Sequence, residues 1–461
     1  MKNLTTGNPT RLMLRFALPL IIGGVLQQAY QITDGIVVGR VLGPTGLAAV
    51  GSVGSLLFLL VGFGWGSTAG LAIPVSKAFG ADDLPKTRTM IAAGAYVSAA
   101  IVALVSFIGL AFGRPILRLM AIPDYLLHDA ATYMQILVSG ALLSVAFAYL
   151  SAILRAVGDS KTPLYFGIAS QFLNAGLTIW FVAGLHLEIV GAAASTLLAQ
   201  AVSLTICLVY VGRKMPQLIP SRGEWSAGWR SMTSAARTGL PMGLQTCSIA
   251  IGVVILQAAV NTLGGEAMAA YATVGRIEGI VISPLHAFNV ATVTFVAQNR
   301  GAKQWLRIRQ TVTRVAGIVA LLALALGTMQ FIWARYLVGV FLHASVGAPV
   351  EMAVTYLQFT AWTFAILGLK FVVRGAVQGM GNSLIPTIST VAELVVRALL
   401  AFWLVGRFGL TGIAFAAPLA WGAGASINIV TWLRLRTNLL TKLRAVATAG
   451  ATNPDEYVAV A

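Results

Sequence analysis

The chain is 461 residues long, 58% of them hydrophobic and 10% charged, with a mean hydropathy of +0.85. A water-soluble surface needs far more polar side chains than this, so a soluble globular protein is excluded. The net charge of +17 would suit nucleic acid only on a polar domain, and no polar stretch is long enough to form one.

Apolar runs of about 20 residues, enough to cross roughly 30 Å of hydrocarbon as helix, recur about twelve times. In chain order they predict spans at 12–38, 47–73, 90–113, 129–153, 163–184 and 189–212, then at 238–260, 268–297, 311–334, 352–378, 384–405 and 410–433. The expected fold class is an all-α membrane protein with twelve transmembrane helices. A short polar lead follows Met1, without the charged segment and short apolar core of a cleaved signal, so the first span is expected to be retained.

Cations crowd alternate loops: Lys77, Lys86 and Arg88; Arg155 and Lys161; Arg213, Lys214, Arg222, Arg230 and Arg237; Arg300, Lys303, Arg307 and Arg309. These loops are expected to be cytoplasmic. Both termini are basic too, so both ends are expected inside the cell (inner) membrane, as an even span count requires. Cys207 and Cys247 fall within spans, where a thiol packs as a small apolar group.

Self-similarity appears at a spacing of 221 residues: Leu42-Gly43, Ala48-Ala49 and Gly54 are answered by Leu263-Gly264, Ala269-Ala270 and Gly275, and Gly80-Ala81 by Gly301-Ala302. Gly158-Asp159-Ser160 with Pro163 returns as Gly381-Asn382-Ser383 with Pro386. An even number of spans separates the copies, so they share one orientation, related by a pseudo-two-fold axis along the membrane normal. The expected organisation is a six-helix lobe at 1–212, a cytoplasmic linker at 213–237, a second six-helix lobe at 238–434 and a disordered cytoplasmic tail at 435–461.

Only 14 acidic residues serve the whole chain, and each one inside a span costs about 2.5–3.5 kcal/mol on insertion scales, which makes it a functional candidate. Asp34 leads them. Gln27, Tyr30, Gln31 and Asp34 fall at i, i+3, i+4 and i+7 and share one helix face. Pro19, earlier in that span, permits a bend. The plainer alternative is that Asp34 solvates the mouth of the loop ending at Arg40. In the fifth span Gln171, Asn174 and Thr178 share a face, and in the sixth Thr196, Gln200 and Ser203 do; helix-to-helix hydrogen bonding explains both equally well.

The second half carries different charges, with Arg276 and Glu278 in the eighth span, Lys370 and Arg374 in the tenth and Glu393 with Arg397 in the eleventh. Glu393 and Arg397 have the i, i+4 spacing of a helix ion pair. Gln31, Gln245, Glu278, Lys370, Glu393 and Arg397 are candidates for a cleft or second-lobe polar site. His128, His186, His286 and His343 lack the mutual spacing of a metal site, and no phosphate loop or nucleophile elbow accompanies them. An enzyme is not expected, and no cofactor beyond a coupling ion.

Several ordered segments carry a resemblance: Ala17-Leu18-Pro19 leading to Thr33-Asp34, Leu154-Arg155-Ala156-Val157-Gly158-Asp159-Ser160, Gly239-Leu240-Pro241, Arg276-Ile277-Glu278 and Gly379-Met380-Gly381-Asn382. With them the chain resembles the multidrug and toxic compound extrusion (MATE) transporters, most closely the DinF-like branch, to about residue 435. The resemblance implies a two-lobed antiporter that exports drugs or other amphipathic or organic cationic compounds by alternating access, driven by H⁺ or Na⁺. It also implies that Asp34 is the coupling carboxylate, Pro19 the bending proline, and Tyr133, Asn174 and Thr196 members of its network.

Members of that branch usually carry a second Asp four residues after the fifth-span Asn, where this chain has Thr178. The seventh-span Glu of another branch is absent too, with Ile249 near its place. One acid favours a single-proton carrier over a Na⁺ cage, although Na⁺ would find ligands at Asp34 and Asn174. The expected partners are a small amphipathic or cationic substrate and the bilayer, with the chain acting as a monomer. The alternative function is a lipid-linked precursor flippase or an exporter of an endogenous metabolite.

Overall fold

The computed structural model describes residues 3–120, 122–342 and 346–448, the side chains of 32–45, 47, 48 and 438–448 excepted. Its helices are α1 (Pro9–Gly80), α2 (Leu84–Leu119), α3 (Asp124–Ser139), α4 (Ala141–Ala156), α5 (Lys161–Thr178), α6 (Glu188–Lys214), α7 (Arg222–Arg230), α8 (Met232–Asn261), α9 (Gly265–Gly301), α10 (Trp305–Leu342), α11 (Ala348–Thr360), α12 (Phe364–Gly379) and α13 (Leu384–Thr448). Ten segments among the described residues are long and apolar enough to span, two of them within α1 at Pro9–Gln31 and Ala49–Gly80. The pair α3 and α4, bent by 47° at Gly140, makes an eleventh. Gly409, at φ 55°, interrupts the helical backbone of α13, and two spans on either side of it bring the number to twelve.

The repeat is visible in the backbone. α1 and α9 end alike: Gly80 is followed by Ala81 and a left-handed Asp82 (φ 58°), and Gly301 by Ala302 and a left-handed Lys303 (φ 57°). Left-handed Gly158 (φ 83°) and Gly381 (φ 80°) stand 223 residues apart. The break between α3 and α4 has its counterpart in the 3₁₀ turn Ala361–Thr363 between α11 and α12. Left-handed residues let the chain leave a helix while satisfying its last carbonyls, so each copy turns at the same places.

Packing divides the chain into two units. Unit I comprises Pro19–Val75 and Leu84–Val254; unit II comprises Met1–Leu18, Ser76–Asp83 and Ile255–Ala461. Their borders cut α1 and α8, whereas 1–212 and 238–434 are units of the sequence repeat.

In unit I, Gly66 and Gly70 of α1 face Gly239 and Gly243 of α8. A Cβ on Gly70 would fall on the Thr238 carbonyl, and one on Gly239 on the Leu71 side chain. Small residues four apart let the two backbones approach within van der Waals reach. The stretch expected as a linker contains a docked helix. Ser221 and Glu224 form a reciprocal capping box that starts α7. Tyr96 of α2 then meets the rings of Trp225 and Trp229 edge-on at 5.3 and 5.4 Å, and Arg88 pairs with Glu224 at 2.7 Å.

Partial removal from water pushes the Glu224 carboxyl up, but the Ser221 amide and then the Arg88 guanidinium outweigh this and hold it below the usual carboxylate range. The pair's contribution is therefore full above the ordinary Glu pKa and is lost as pH falls through the lowered one. A partly exposed pair is worth about 0.2–1 kcal/mol. Glu224→Gln is expected to speed tryptic cleavage at Arg222 and Arg230 by about twofold to fivefold at neutral pH. An unchanged rate would show that the two tryptophans alone hold α7 on α2.

In unit II the amino-terminal segment is tied to α9. The Leu4 amide donates to Gln298 Oε1 at 2.9 Å, and Asn299 and Arg307 donate back to the Leu4 carbonyl. The ends of α1 and α9 meet glycine against backbone: a Cβ on Gly80 would fall on the Gln298 carbonyl, and one on Gly301 on that of Lys77. α13 continues as helix to Thr448, past residue 435 where a disordered tail is expected. Its last turns are rich in Leu, Arg, Lys and Ala, all good helix formers. Residues 449–461 of that tail lie outside the described residues.

Candidate functional site

Unit I holds a half-open cavity of about 480 Å³ between the first span of α1 and helices α4, α5 and α6. Pro19, Gln27 and Tyr30 line it from α1, Ser144, Ser151 and Arg155 from α4, Gln171 and Asn174 from α5, and Thr196 and Gln200 from α6. A hydrogen-bond chain crosses it. The Tyr30 hydroxyl donates to Asn174 Oδ1, Asn174 Nδ2 donates to Thr196 Oγ1 at 3.1 Å, and Thr196 Oγ1 donates to the Ala192 carbonyl at 3.1 Å. One turn away along α5, Gln171 Nε2 donates to Gln27 Oε1 at 3.3 Å. Trp65 reaches in from the second span of α1, its Nε1 donating to Ser144 Oγ at 2.9 Å.

The helical spacing explains this assembly. Gln27 and Tyr30, three apart, present one face of α1, and Gln171 and Asn174, three apart, present the matching face of α5. Tyr30 precedes Asp34 by one helical turn. The side chain of Asp34 lies outside the described residues, as does His343.

Other expected members stand apart from the cavity. Gln31 is exposed on α1. Tyr133 packs against the small cluster of Ala49, Leu126 and Ile189. Thr178 is buried, its hydroxyl 2.8 Å from Ser195 Oγ, just before α5 passes into the π-helical turn Ile179–Gly184. Gln245 is buried on α8. Arg155 is the lining residue that sequence reasoning misplaced. Read as a loop cation, it occupies the last turn of α4, and the short spacing from Arg155 to the turn at Gly158 concealed this.

Unit II holds a second polar constellation. Lys370 and Arg397 both pair with Glu393, Arg397 Nη2 at 2.6 Å from Oε1 and Lys370 Nζ on the other oxygen. Lys370 and Glu393 are 3% and 6% exposed, so their pair is shielded from water, with Arg397 half-buried at its side. Arg374, 4% exposed, lies over the Phe371 ring at 4.9 Å, with its Nε unpartnered. Glu278 is separate, accepting from Thr360 Oγ1 at 2.7 Å. Among the described residues no group of three or more His, Cys, Asp or Glu side chains is placed to hold a metal ion.

The family model described as MatE matches residues 19–180 and 241–403. The chain is 27% identical over 432 residues to the probable multidrug resistance protein YpnP of Bacillus subtilis (strain 168), covering 92% of this chain and 93% of that protein. It is 28% identical over 438 residues to the multidrug resistance protein NorM of Burkholderia vietnamiensis, covering 91% of each. A solved outward-facing conformation of a multidrug resistance MATE family transporter superposes with a TM-score of 0.85 at 22% identity, over 95% of this chain and 99% of that one.

Proposed function

The chain belongs to the MatE family, and from that membership we propose that it exports drugs or other amphipathic, organic cationic compounds across the cell membrane in exchange for H⁺. The observation that carries this reading is the Tyr30–Asn174–Thr196 chain in the unit I cavity, one helical turn from Asp34 on the same helix. Carboxylates inside spans are costly and mark ion pathways. The two halves share a backbone plan, which suits alternating access by repeats that move against each other, and Pro19 on the cavity wall supplies a point at which α1 can bend.

H⁺ is favoured over Na⁺ because Thr178 stands where a second carboxylate would complete a charged cage, and its hydroxyl is already engaged by Ser195. The basic loops and termini orient both chain ends toward the cytoplasm in this proposal. The test uses proteoliposomes loaded with a fluorescent cationic dye such as ethidium. A pH gradient opposed to the dye is expected to drive its accumulation, and a Na⁺ gradient at constant pH is not. Accumulation driven by Na⁺ alone would overturn the choice of ion, and accumulation under neither gradient would overturn antiport.

A further inference from the structure

Among the described residues Arg155 is the only charged side chain that lines the unit I cavity. It belongs to none of the four ion pairs among the described residues and has no side-chain hydrogen bond there. The nearest acid in sequence, Asp159, is committed elsewhere: its oxygens accept from the Lys161 and Thr162 amides at 3.1 and 3.0 Å and from the Thr162 hydroxyl at 2.6 Å. The end of α4 favours a cation through its dipole, but a dipole does not cancel a charge. One turn before Arg155 on the same face, Ser151 lines the cavity while only 5% exposed, and its Oγ is unpartnered. Gln200, across the cavity on α6, also has an unpartnered Oε1, and turning its amide would present an N–H₂ donor instead.

The repeat supplies a comparison. At the spacing of 223 that relates Gly158 to Gly381, Ser151 corresponds to Arg374, Ser170 to Glu393 and Asn174 to Arg397. The second copy therefore fills this region with cations and pairs one of them, Arg397, with Glu393. The first copy keeps a cation, Arg155, that no acid among the described residues answers, beside a cavity.

We propose that Arg155 and Ser151 form an anion-binding subsite that receives the carboxylate or other anionic head of an amphiphilic cargo molecule. Its apolar body lies against Leu20, Phe147, Leu164 and Ile168. A cavity of this size accepts a drug-sized body, and guanidinium with hydroxyl supplies charge-assisted donors for the head. The inference rests on the export reading and extends its substrate class to amphiphiles that carry an anionic group, zwitterions included.

The test compares rhodamine B with its ethyl ester, which share every ring and differ in one free carboxylate. Binding to the purified full-length protein in neutral detergent is followed by fluorescence polarisation. Wild type is expected to prefer the acid by about tenfold or more, Arg155→Gln to bring the ratio near one, and Arg155→Lys to retain part of it. Dihexanoyl phosphatidylglycerol is expected to displace the acid, and inorganic phosphate at the same concentration is not.

A wild-type ratio near one, a ratio unmoved by Arg155→Gln, or an equal loss for both dyes overturns the subsite. Equal displacement by phosphate overturns the requirement for an amphiphile. Loss of gradient-driven transport with the ratio intact strikes the export reading and leaves the subsite standing.

Discussion

Glu393→Ala is expected to destabilise the protein by about 3–5 kcal/mol, because it leaves buried cations without their carboxylate. Lys370 and Arg397 both depend on Glu393, and Arg374 belongs to none of the ion pairs among the described residues. Removing one side of a buried pair exposes the full desolvation cost of the other, and here two cations share the same acid. The expected readout is a large fall in the melting temperature of the detergent-solubilised protein, with loss of the monodisperse peak on size exclusion. The triple substitution Lys370→Met, Glu393→Leu, Arg397→Leu is expected to recover most of the loss, since apolar side chains of similar volume often replace a buried ion cluster at little cost. Wild-type stability in Glu393→Ala would show that the cations find water or another acid, and the cluster would lose its structural role.

The same comparison bears on how the halves differ. Glu393 and Arg397 occupy the repeat positions of Ser170 and Asn174, so one copy seals with charge the region that the other opens as a cavity lined by Gln27, Tyr30, Gln171 and Asn174. In the proposed antiport, a pseudo-symmetric backbone with asymmetric side chains would let one lobe bind and exchange while the other serves as a stiff counterpart.

The spans and the repeat were legible in the sequence because both depend on strong local signals. Twenty apolar residues admit one structure in a bilayer, and Gly80 with Gly301, or Gly158 with Gly381, mark turns that need a left-handed residue or a close approach. The face shared by Gln27 and Tyr30 follows from the helical period, and so does the Glu393–Arg397 pair. Long-range partners were not legible. The period permits Lys370 to reach any neighbouring helix, and only the packing of α12 against α13 joins it to Glu393 rather than to Glu278. Helix α7 was available in principle: Ser221 and Glu224 have capping-box spacing, which a reading of the stretch as a basic, proline-bearing linker passed over. Arg155 was assigned to a loop by its charge, although Gly158 marks the turn itself, three residues later.

Asp34→Asn is expected to abolish coupling, and the accumulation ratio measures this better than the rate does. One proton entering at about 100 mV supplies roughly 2.3 kcal/mol, enough to sustain roughly a fiftyfold gradient of a neutral compound. For a monovalent cation the exchange moves no net charge, so only the pH difference contributes, and the two cargo types separate the two terms. An asparagine cannot carry the proton, so any downhill movement that persists is expected to bring the neutral compound to a ratio of about one, and the cation to about one when only a pH difference is imposed and the membrane potential is clamped to zero. Asn174→Ala makes the contrast. It breaks the chain from Tyr30 to Thr196 but removes no titrating group, so the rate is expected to fall by about fivefold to tenfold while the final ratio holds. Both quantities come from one time course in proteoliposomes, the slope giving the rate and the plateau the coupling. A plateau in Asp34→Asn that matches wild type would move the coupling group elsewhere, and Glu278, an acid inside a span that belongs to none of the ion pairs among the described residues, would be the next to test.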